Sequence, residues 1–233
     1  MNRRSRRTGT NSFRYLGELQ GANSPSLDAV PSVDAAGHFY FTSLREYDRT
    51  MNSIYAGEFD GSDVRDVRPV AGAISPKTPF TVNMDAGISP DGKTLYISRA
   101  VIVPGAPGPR KSKLMVARNN DGAFEIAPDS DRIMKNINTG PLAYAPAISA
   151  NGLELYFTRA SQFEAGSGGK DAKVRIVVAT RSSLNDAFGE PEVLSALTGF
   201  VEAPSVSLDA AEIFFHKKVG IKYVIYRAVR SVH

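Results

Sequence analysis

The chain contains no cysteine, only three histidines, and no apolar run approaching the roughly 20 residues that cross a bilayer. The missing cysteine excludes disulfides, thiolate metal sites and a cysteine nucleophile together. The histidines do not repair that deficit: His38 lies beside a turn, His216 ends an apolar run and His233 is the last residue. No pair has the H-E-x-x-H spacing of a metalloprotease, so all three read as ordinary surface residues. There is no G-x-S-x-G elbow and no Walker-type loop. Gly166–Lys170, GSGGK, lacks the phosphate-loop spacing and a following helix, and reads as flexible loop. No tryptic array of charges marks a nucleic-acid surface either. Arg3, Arg4, Arg6 and Arg7 account for the net charge of +4, and without them 24 basic residues face 24 acidic ones. Residues 1–10 are therefore expected to be a disordered basic tail without specific nucleic-acid binding, non-specific attraction to an anionic partner being the alternative. No apolar h-region follows the arginines, so no signal peptide is expected here. The compartment is then cytoplasmic by default, or periplasmic or exported if a signal has been trimmed.

What is present is a repeat. Pro31–Ser43 (PSVDAAGHFYFTS), Ala86–Ala100 (AGISPDGKTLYISRA), Pro146–Ala160 (PAISANGLELYFTRA) and Pro204–Lys218 (PSVSLDAAEIFFHKK) align, and Tyr40, Tyr96, Tyr156 and Phe214 recur at spacings of 56, 60 and 58. Each copy reads as a β-hairpin. In Ser89–Gly92, SPDG, proline presets φ at the second turn position and glycine closes the turn. The runs FYF, LYI, LYF and IFF are aromatic or branched, without polar alternation, as in strands covered on both faces. Third strands are expected at Ser53–Phe59, Lys113–Asn119, Val174–Arg181 and Tyr223–Val229, and fourth strands near Val64, Phe124 and Phe188. Four-stranded antiparallel units in tandem are the blades of a β-propeller.

The last repeat lacks a fourth strand. Asn11–Leu19, NSFRYLGEL, matches Asp186–Leu194, DAFGEPEVL, and is expected to pair with Tyr223–Val229 and close the ring. The count is then four blades in one domain, residues 11–233, with five blades as the competing count. Small innermost residues (Pro31-Ser32, Ala86-Gly87, Pro146-Ala147, Pro204-Ser205) suit the narrow axis of so few blades.

These motifs resemble the TolB-like, WD-repeat-like β-propeller family, whose repeat approximates P-S-x-S-P-D-G-x-x-L-Y-F-x-S. AGISPDGKTLYIS and PAISANGLELYFT match best, and Val177–Leu194 is similar to the second half of such repeats in bacterial proteins. Repeats one and four depart at the turn, with DAAG and LDAAE. The resemblance implies a propeller over nearly the whole chain. Its members include partners of larger assemblies and propellers attached to peptidases, so it implies no single activity.

One propeller face should carry the first-strand starts and second-strand ends. It also carries two long loops, Val101–Ser112 and the glycine-rich Ser161–Ala172, and loops on a rigid scaffold commonly bear function. Before the first strands stand Asp28, Asp85, Tyr144 and Glu202; after the second strands stand Arg45, Arg99, Arg159 and Lys217. As a ligand site these eight would offer carboxylates to sugar hydroxyls or to a hard cation such as Ca²⁺, and arginines to carboxylate or phosphate. Alternatively, acid and base pair within each blade and serve only the repeat. The expectation is a monomeric binding scaffold for a protein segment or a polar ligand, glycans included, needing no cofactor. The competing expectations are a carboxylate-dependent glycan-active enzyme using Asp28, Asp85 and Glu202, and a purely structural module.

Overall fold

The computed structural model describes residues 1–162 and 172–230. It is an all-β, four-bladed propeller. Blade 1 comprises β3 (Asp28–Val33), β4 (His38–Ser43), β5 (Ile54–Phe59) and β6 (Val64–Pro69), ordered from the axis outward. Blade 2 comprises β7 (Thr81–Ile88), β8 (Thr94–Val101), β9 (Lys111–Asn120) and β10 (Ala123–Ile126). Blade 3 comprises β11 (Leu142–Ile148), β12 (Glu154–Ala160), β13 (Val174–Thr180) and β14 (Glu192–Val193). Blade 4 has three strands, β15 (Val201–Val206), β16 (Glu212–Val219) and β17 (Lys222–Val229). Among the described residues helix is confined to single turns, α1 (Tyr47–Thr50), α2 (Ser130–Ile133) and a 3-10 turn at Ile137–Thr139.

The unalternated apolar runs behave as their composition requires. Leu95 and Ile97 of β8 pack with Tyr40 and Ile54 of blade 1, while Tyr96 faces Leu155, Phe157 and Phe188 of blade 3. Blade 2 thus contributes to two interblade cores. Two devices recur at these interfaces. A Phe before or in an outer strand caps edge-on the second-strand aromatic of the preceding blade: Phe124 on Tyr40 (6.0 Å between centroids, 85°) and Phe188 on Tyr96 (6.4 Å, 64°). A second-strand hydroxyl latches the next blade's inner strand: Thr42 Oγ1 donates to Met84 O (2.8 Å), Ser98 Oγ donates to Ala143 O (3.3 Å), and Thr158 Oγ1 accepts from Ala203 N (2.9 Å).

At the junction of blades 4 and 1 the hydroxyl latch is replaced and the aromatic cap comes from the N-terminal hairpin. The fourth hydroxyl position is His216, which is exposed. The inner strands pack β3 on β7, β7 on β11 and β11 on β15, with no comparable contact between β15 and β3. The expected closing ladder does not form. Asn11–Leu19 supplies β2 (Ser12–Glu18), but its partner is β1 (Arg3–Gly9), and β17 keeps a free edge among the described residues. Arg3–Gly9 is accordingly a strand rather than a disordered tail. The local partner prevails because closing a tight hairpin costs far less chain entropy than joining residues some 200 positions apart. The hairpin base is tied down as well: Leu19 N donates to Asn2 O at 3.0 Å, and buried Asn2 bonds Asn23 and Ala22.

The ring is instead bridged by side chains. Leu19 and Ala22 pack on Phe39, Phe41, Tyr55 and Val64 of blade 1. At the other side Phe13 caps Phe214 edge-on (5.9 Å, 87°), Arg7 pairs with Glu212 (3.0 Å), and Arg227 donates to Asn11 Oδ1 (2.8 Å). Phe13 thus does for blade 4 what Phe124 and Phe188 do for blades 1 and 2. The match of Phe13 with Phe188 is real in packing, though displaced by one blade from the strand pairing expected of it.

The small inner residues reflect tight approach at the axis. A Cβ on Gly87 would stand 2.3 Å from the carbonyl oxygen of Pro146 in the neighbouring blade. Because backbone cannot swing aside as a side chain does, Gly87→Ala is expected to lower stability by about 1–3 kcal/mol. Chemical denaturation checks this as a drop in midpoint at unchanged slope.

Candidate functional site

The inner strands enclose a cavity of about 710 Å³, lined by β3, β7, β11 and β15 and opening between blades 4 and 1 past Phe39, Phe214 and Ile225. Its wall is largely backbone and apolar, with Asp85, Tyr144, Glu202 and His216 among its polar side chains. Each inner strand is interrupted by a bulge, and the bulges place these groups. In blades 3 and 4 it lies after Tyr144 and Glu202, with Ala145 at φ 50° and Ala203 at φ 52°. In blade 2 it comes earlier, between Asn83 and Asp85. That offset sets Asp85 opposite Ser98, the ladder position that Tyr144 takes opposite Thr158 and Glu202 opposite His216. Sequence alignment alone puts Asp85 one residue away from the other two.

Asp28 occupies a different ladder position, opposite Ser43, and does not line the cavity. With a side-chain period of two, a one-residue offset sends the group to the other side of the sheet. There it accepts hydrogen bonds from Ser24 (2.8 Å) and Arg45 (3.0 Å). Burial alone would raise its carboxyl, but bonds from Ser43, Ser24 and Arg45 outweigh burial and hold it below the usual value. The convergence of three carboxylates that the enzyme reading needs is therefore not present.

The bases also serve the blades. Arg45 reaches Ser43 Oγ (2.8 Å) and Ala22 O (3.4 Å); Arg99 bonds Asn83 Oδ1 (3.0 Å) and Ile74 O; Arg159 bonds Ile137 O (2.8 Å). In each case an arginine in or just past the end of a second strand holds a carbonyl of the segment entering its blade; Arg99 and Arg159 lie within their strands and Arg45 follows its own. Lys217 lies over the Tyr226 ring at 5.5 Å. None of the four lines the cavity.

What remains is an acidic cluster. The Tyr144 hydroxyl donates to Glu202 Oε2 at 2.7 Å, and Ala145 N donates to Asp85 Oδ2 at 3.0 Å. Burial, and then the Glu202 charge, push the Tyr144 phenol up. Burial pushes the Asp85 carboxyl up to about 7, the Ala145 N–H opposing and Glu202 adding to the rise. Neither Asp85 nor Glu202 forms an ion pair with Lys, Arg or His among the described residues. His216 was set aside as a strand-end residue, yet it borders the cavity opposite Glu202. Its position in the repeat, where the other blades carry Thr42, Ser98 and Thr158, is the signal that could have found it.

The described residues of the two long loops are not among those lining this cavity. Val101, Arg110, Lys111 and Gln162 form a separate pocket with Pro141, and residues 163–171, including all of GSGGK and most of the glycine-rich loop, lie outside the described residues.

No family model matches this chain, and no curated protein matches it. Solved structures do. One described as TolB from Agrobacterium tumefaciens shares 19% identity at a TM-score of 0.52, covering 94% of this chain and 62% of that one. The chain has the fold of a TolB propeller. TolB from Acinetobacter baumannii shares 14% identity (TM-score 0.49; 95% of this chain, 44% of that one). A prolyl endopeptidase structure shares 14% (TM-score 0.45; 89% and 30%). At these identities the likeness speaks to fold alone. The chain spans less than two thirds of the length of any of the three.

A carboxyl raised in the folded state is protonated there at pH values where the unfolded chain has already released its proton. Its contribution to stability is fully present below the unfolded value of 3.8 and is lost as pH rises through about 7. Asp85→Asn keeps an acceptor for Ala145 N. It is expected to stabilise the protein at pH 8 by a few kcal/mol, an advantage that shrinks at pH 5. Urea midpoints at the two pH values check the sign.

Proposed function

We propose that the protein is a binding scaffold whose central cavity takes a protein segment or a polar ligand, glycans included, through Asp85, Tyr144 and Glu202. The observation that supports this is the pair of carboxylates on a largely apolar wall, close enough for the Glu202 charge to raise Asp85, with no ion-pair partner among the described residues. Such an arrangement costs stability unless something positive or rich in hydroxyls arrives. A lysine or arginine side chain of an extended segment would satisfy both acids, and sugar hydroxyls would do so less strongly. A hard cation such as Ca²⁺ would find two carboxylates and would need backbone carbonyls to complete its shell; no group of three acid or histidine ligands is assembled among the described residues.

A second reading, a glycan-active enzyme, draws on one observation: a carboxyl near 7 beside a second acid is the pairing that general acid–base chemistry uses. It would rest on Asp85 and Glu202, without Asp28.

Calorimetric titration with lysine- and arginine-containing peptides, neutral oligosaccharides and Ca²⁺ separates these. The expected result is saturable binding of a basic peptide or an oligosaccharide, weakened about 10-fold or more by Asp85→Asn and by Glu202→Gln. Arg99→Gln, on the structural side of the blade, should leave affinity unchanged. Release of reducing sugar, abolished by the same two variants, would put the enzyme in place of the scaffold. Binding that ignores both variants would remove the cavity from consideration.

A further inference from the structure

Around the central cavity hydrogen-bond donors are already engaged, while acceptors are left over. In blades 1, 3 and 4 the bulge of the inner strand contains a proline, Pro31, Pro146 or Pro204, and all of these line the cavity. Proline offers a carbonyl and no N–H. The N–H groups of two preceding residues are committed elsewhere: Ala145 N to Asp85 Oδ2 at 3.0 Å and Ala203 N to Thr158 Oγ1 at 2.9 Å. In blade 2, Ile88 N donates to Ser32 Oγ at 3.1 Å. The Tyr144 hydroxyl is taken by Glu202 Oε2. The second oxygen of each acid, Asp85 Oδ1 and Glu202 Oε1, accepts no hydrogen bond among the described residues, and neither oxygen is sealed off by protein atoms. No lysine or arginine among the described residues lines the cavity.

This imbalance selects the chemistry of the occupant. An anion is repelled. A sugar hydroxyl is an acceptor as well as a donor, and its acceptor half would meet few donors on this wall. A hard cation such as Ca²⁺ seeks six to eight oxygens, whereas Val206, Leu208, Phe214 and Ile225 occupy much of the lining. An ammonium group has three donors and no acceptor, and the apolar remainder of an amine matches those side chains. The volume, about 710 Å³, is that of a small-molecule site. We infer, on the reading that this cavity is the binding site, that its ligand is a small organic amine, the ammonium held between Asp85 Oδ1 and Glu202 Oε1 and the apolar body lying on Val206, Phe214 and Ile225.

The site also makes binding depend on pH. Around Asp85 stand Tyr144 on β11, Glu202 on β15, His216 on β16 and, beside Glu202, Tyr223 on β17. β3, β4 and β5 bring no titratable side chain to the cavity, and Arg99 of β8 turns to Asn83 and Ile74. An alkyl ammonium keeps its proton well above neutral pH, so as pH falls through about 7 protons compete with the amine for Asp85.

Calorimetric titration of the full chain with hexylamine, 1-hexanol, hexanoate, maltotetraose and an end-capped Gly-Lys-Gly peptide tests this. Hexylamine is expected to bind saturably at pH 8, about 10-fold or more tighter than hexanol, maltotetraose or the peptide, and hexanoate should not bind. From propylamine to hexylamine the affinity should rise about fourfold per methylene. Asp85→Asn and Glu202→Gln, which keep acceptors for Ala145 N and the Tyr144 hydroxyl, should each weaken hexylamine about 10-fold. Asp85→Asn is expected to be the more stable protein at this pH, so its loss of binding is not loss of fold. Lowering the pH from 8 to 6 should cost the parent chain about 10-fold in affinity. Asp85→Asn should abolish that change. His216→Gln should leave it in place, histidine being the other side chain that commonly changes charge in this range. Preference for maltotetraose or the peptide over hexylamine, still lost in both acid variants, would overturn the amine and leave the cavity as the binding site. Hexanol binding as tightly as hexylamine, or no saturable hexylamine binding, would overturn the amine as well. Hexylamine binding indifferent to both acid variants would overturn the amine site and the cavity together.

Discussion

The sheets of blades 1 to 3 bury apolar side chains on both faces, and that is the constraint on which everything else depends. A strand such as Leu95-Tyr96-Ile97 has no side it can turn to water, so blade 2 holds together only if blades stand against it on both sides. The aromatic caps and hydroxyl latches refine this stacking. Phe124 on Tyr40 and Phe188 on Tyr96 fill the outer part of the interfaces between blades 1 and 2 and between blades 2 and 3, while Thr42, Ser98 and Thr158 pin the inner strands near the axis. A linear stack of such units leaves two bare faces, and bending it into a ring is how it disposes of them.

Between blades 4 and 1 the ring is bridged by side chains of the hairpin and not by a strand ladder or by packing of β15 on β3. Between blades 4 and 1 the hairpin β1–β2 acts as a wedge, its Leu19 end seated on blade 1 and its Phe13 end on blade 4. Glu212, flanked by Arg227 and Arg7, has its carboxyl drawn down to about 2, consistent with a polar clamp at the same junction. Because the wedge does not reach the axis, the central cavity opens at this junction, and β17 keeps its edge, with Ile225 68% exposed. One feature, the choice of β1 over β17 as the partner of β2, thus shapes both the entrance to the cavity and the arginine-bearing ribbon outside it.

Within the cavity the repeat is broken where chemistry could enter. Arginines that end second strands look alike in sequence, and they do one structural thing, holding carbonyls at Ala22, Ile74 and Ile137. Asp28 belongs with them. Asp85, Tyr144 and Glu202 share a ladder position, yet no two neighbouring blades carry the same residue there, and blade 1 has Ala29 opposite Thr42. Repetition marks the residues that build the propeller, and departure from it marks the acids that face the axis.

The sequence by itself determined the period, the hairpins, the blade count and the small residues at the axis. Those are written in contacts a few residues long. In Ser89–Gly92, for example, Gly92 N returns to Ser89 O at 2.9 Å, and the apolar runs after such turns can only be buried strands. Two things were decided only in the folded chain: which strand Asn11–Leu19 joins, and where along each inner strand the bulge falls. The first is a competition between a nearby partner and a distant one, settled by loop entropy and by the fit of Phe13 to Phe214. The second depends on how β7 and β11 approach each other. A shift of one residue there carries Asp85 into the cavity beside Tyr144 and Glu202, and such a shift leaves no mark on spacing or composition.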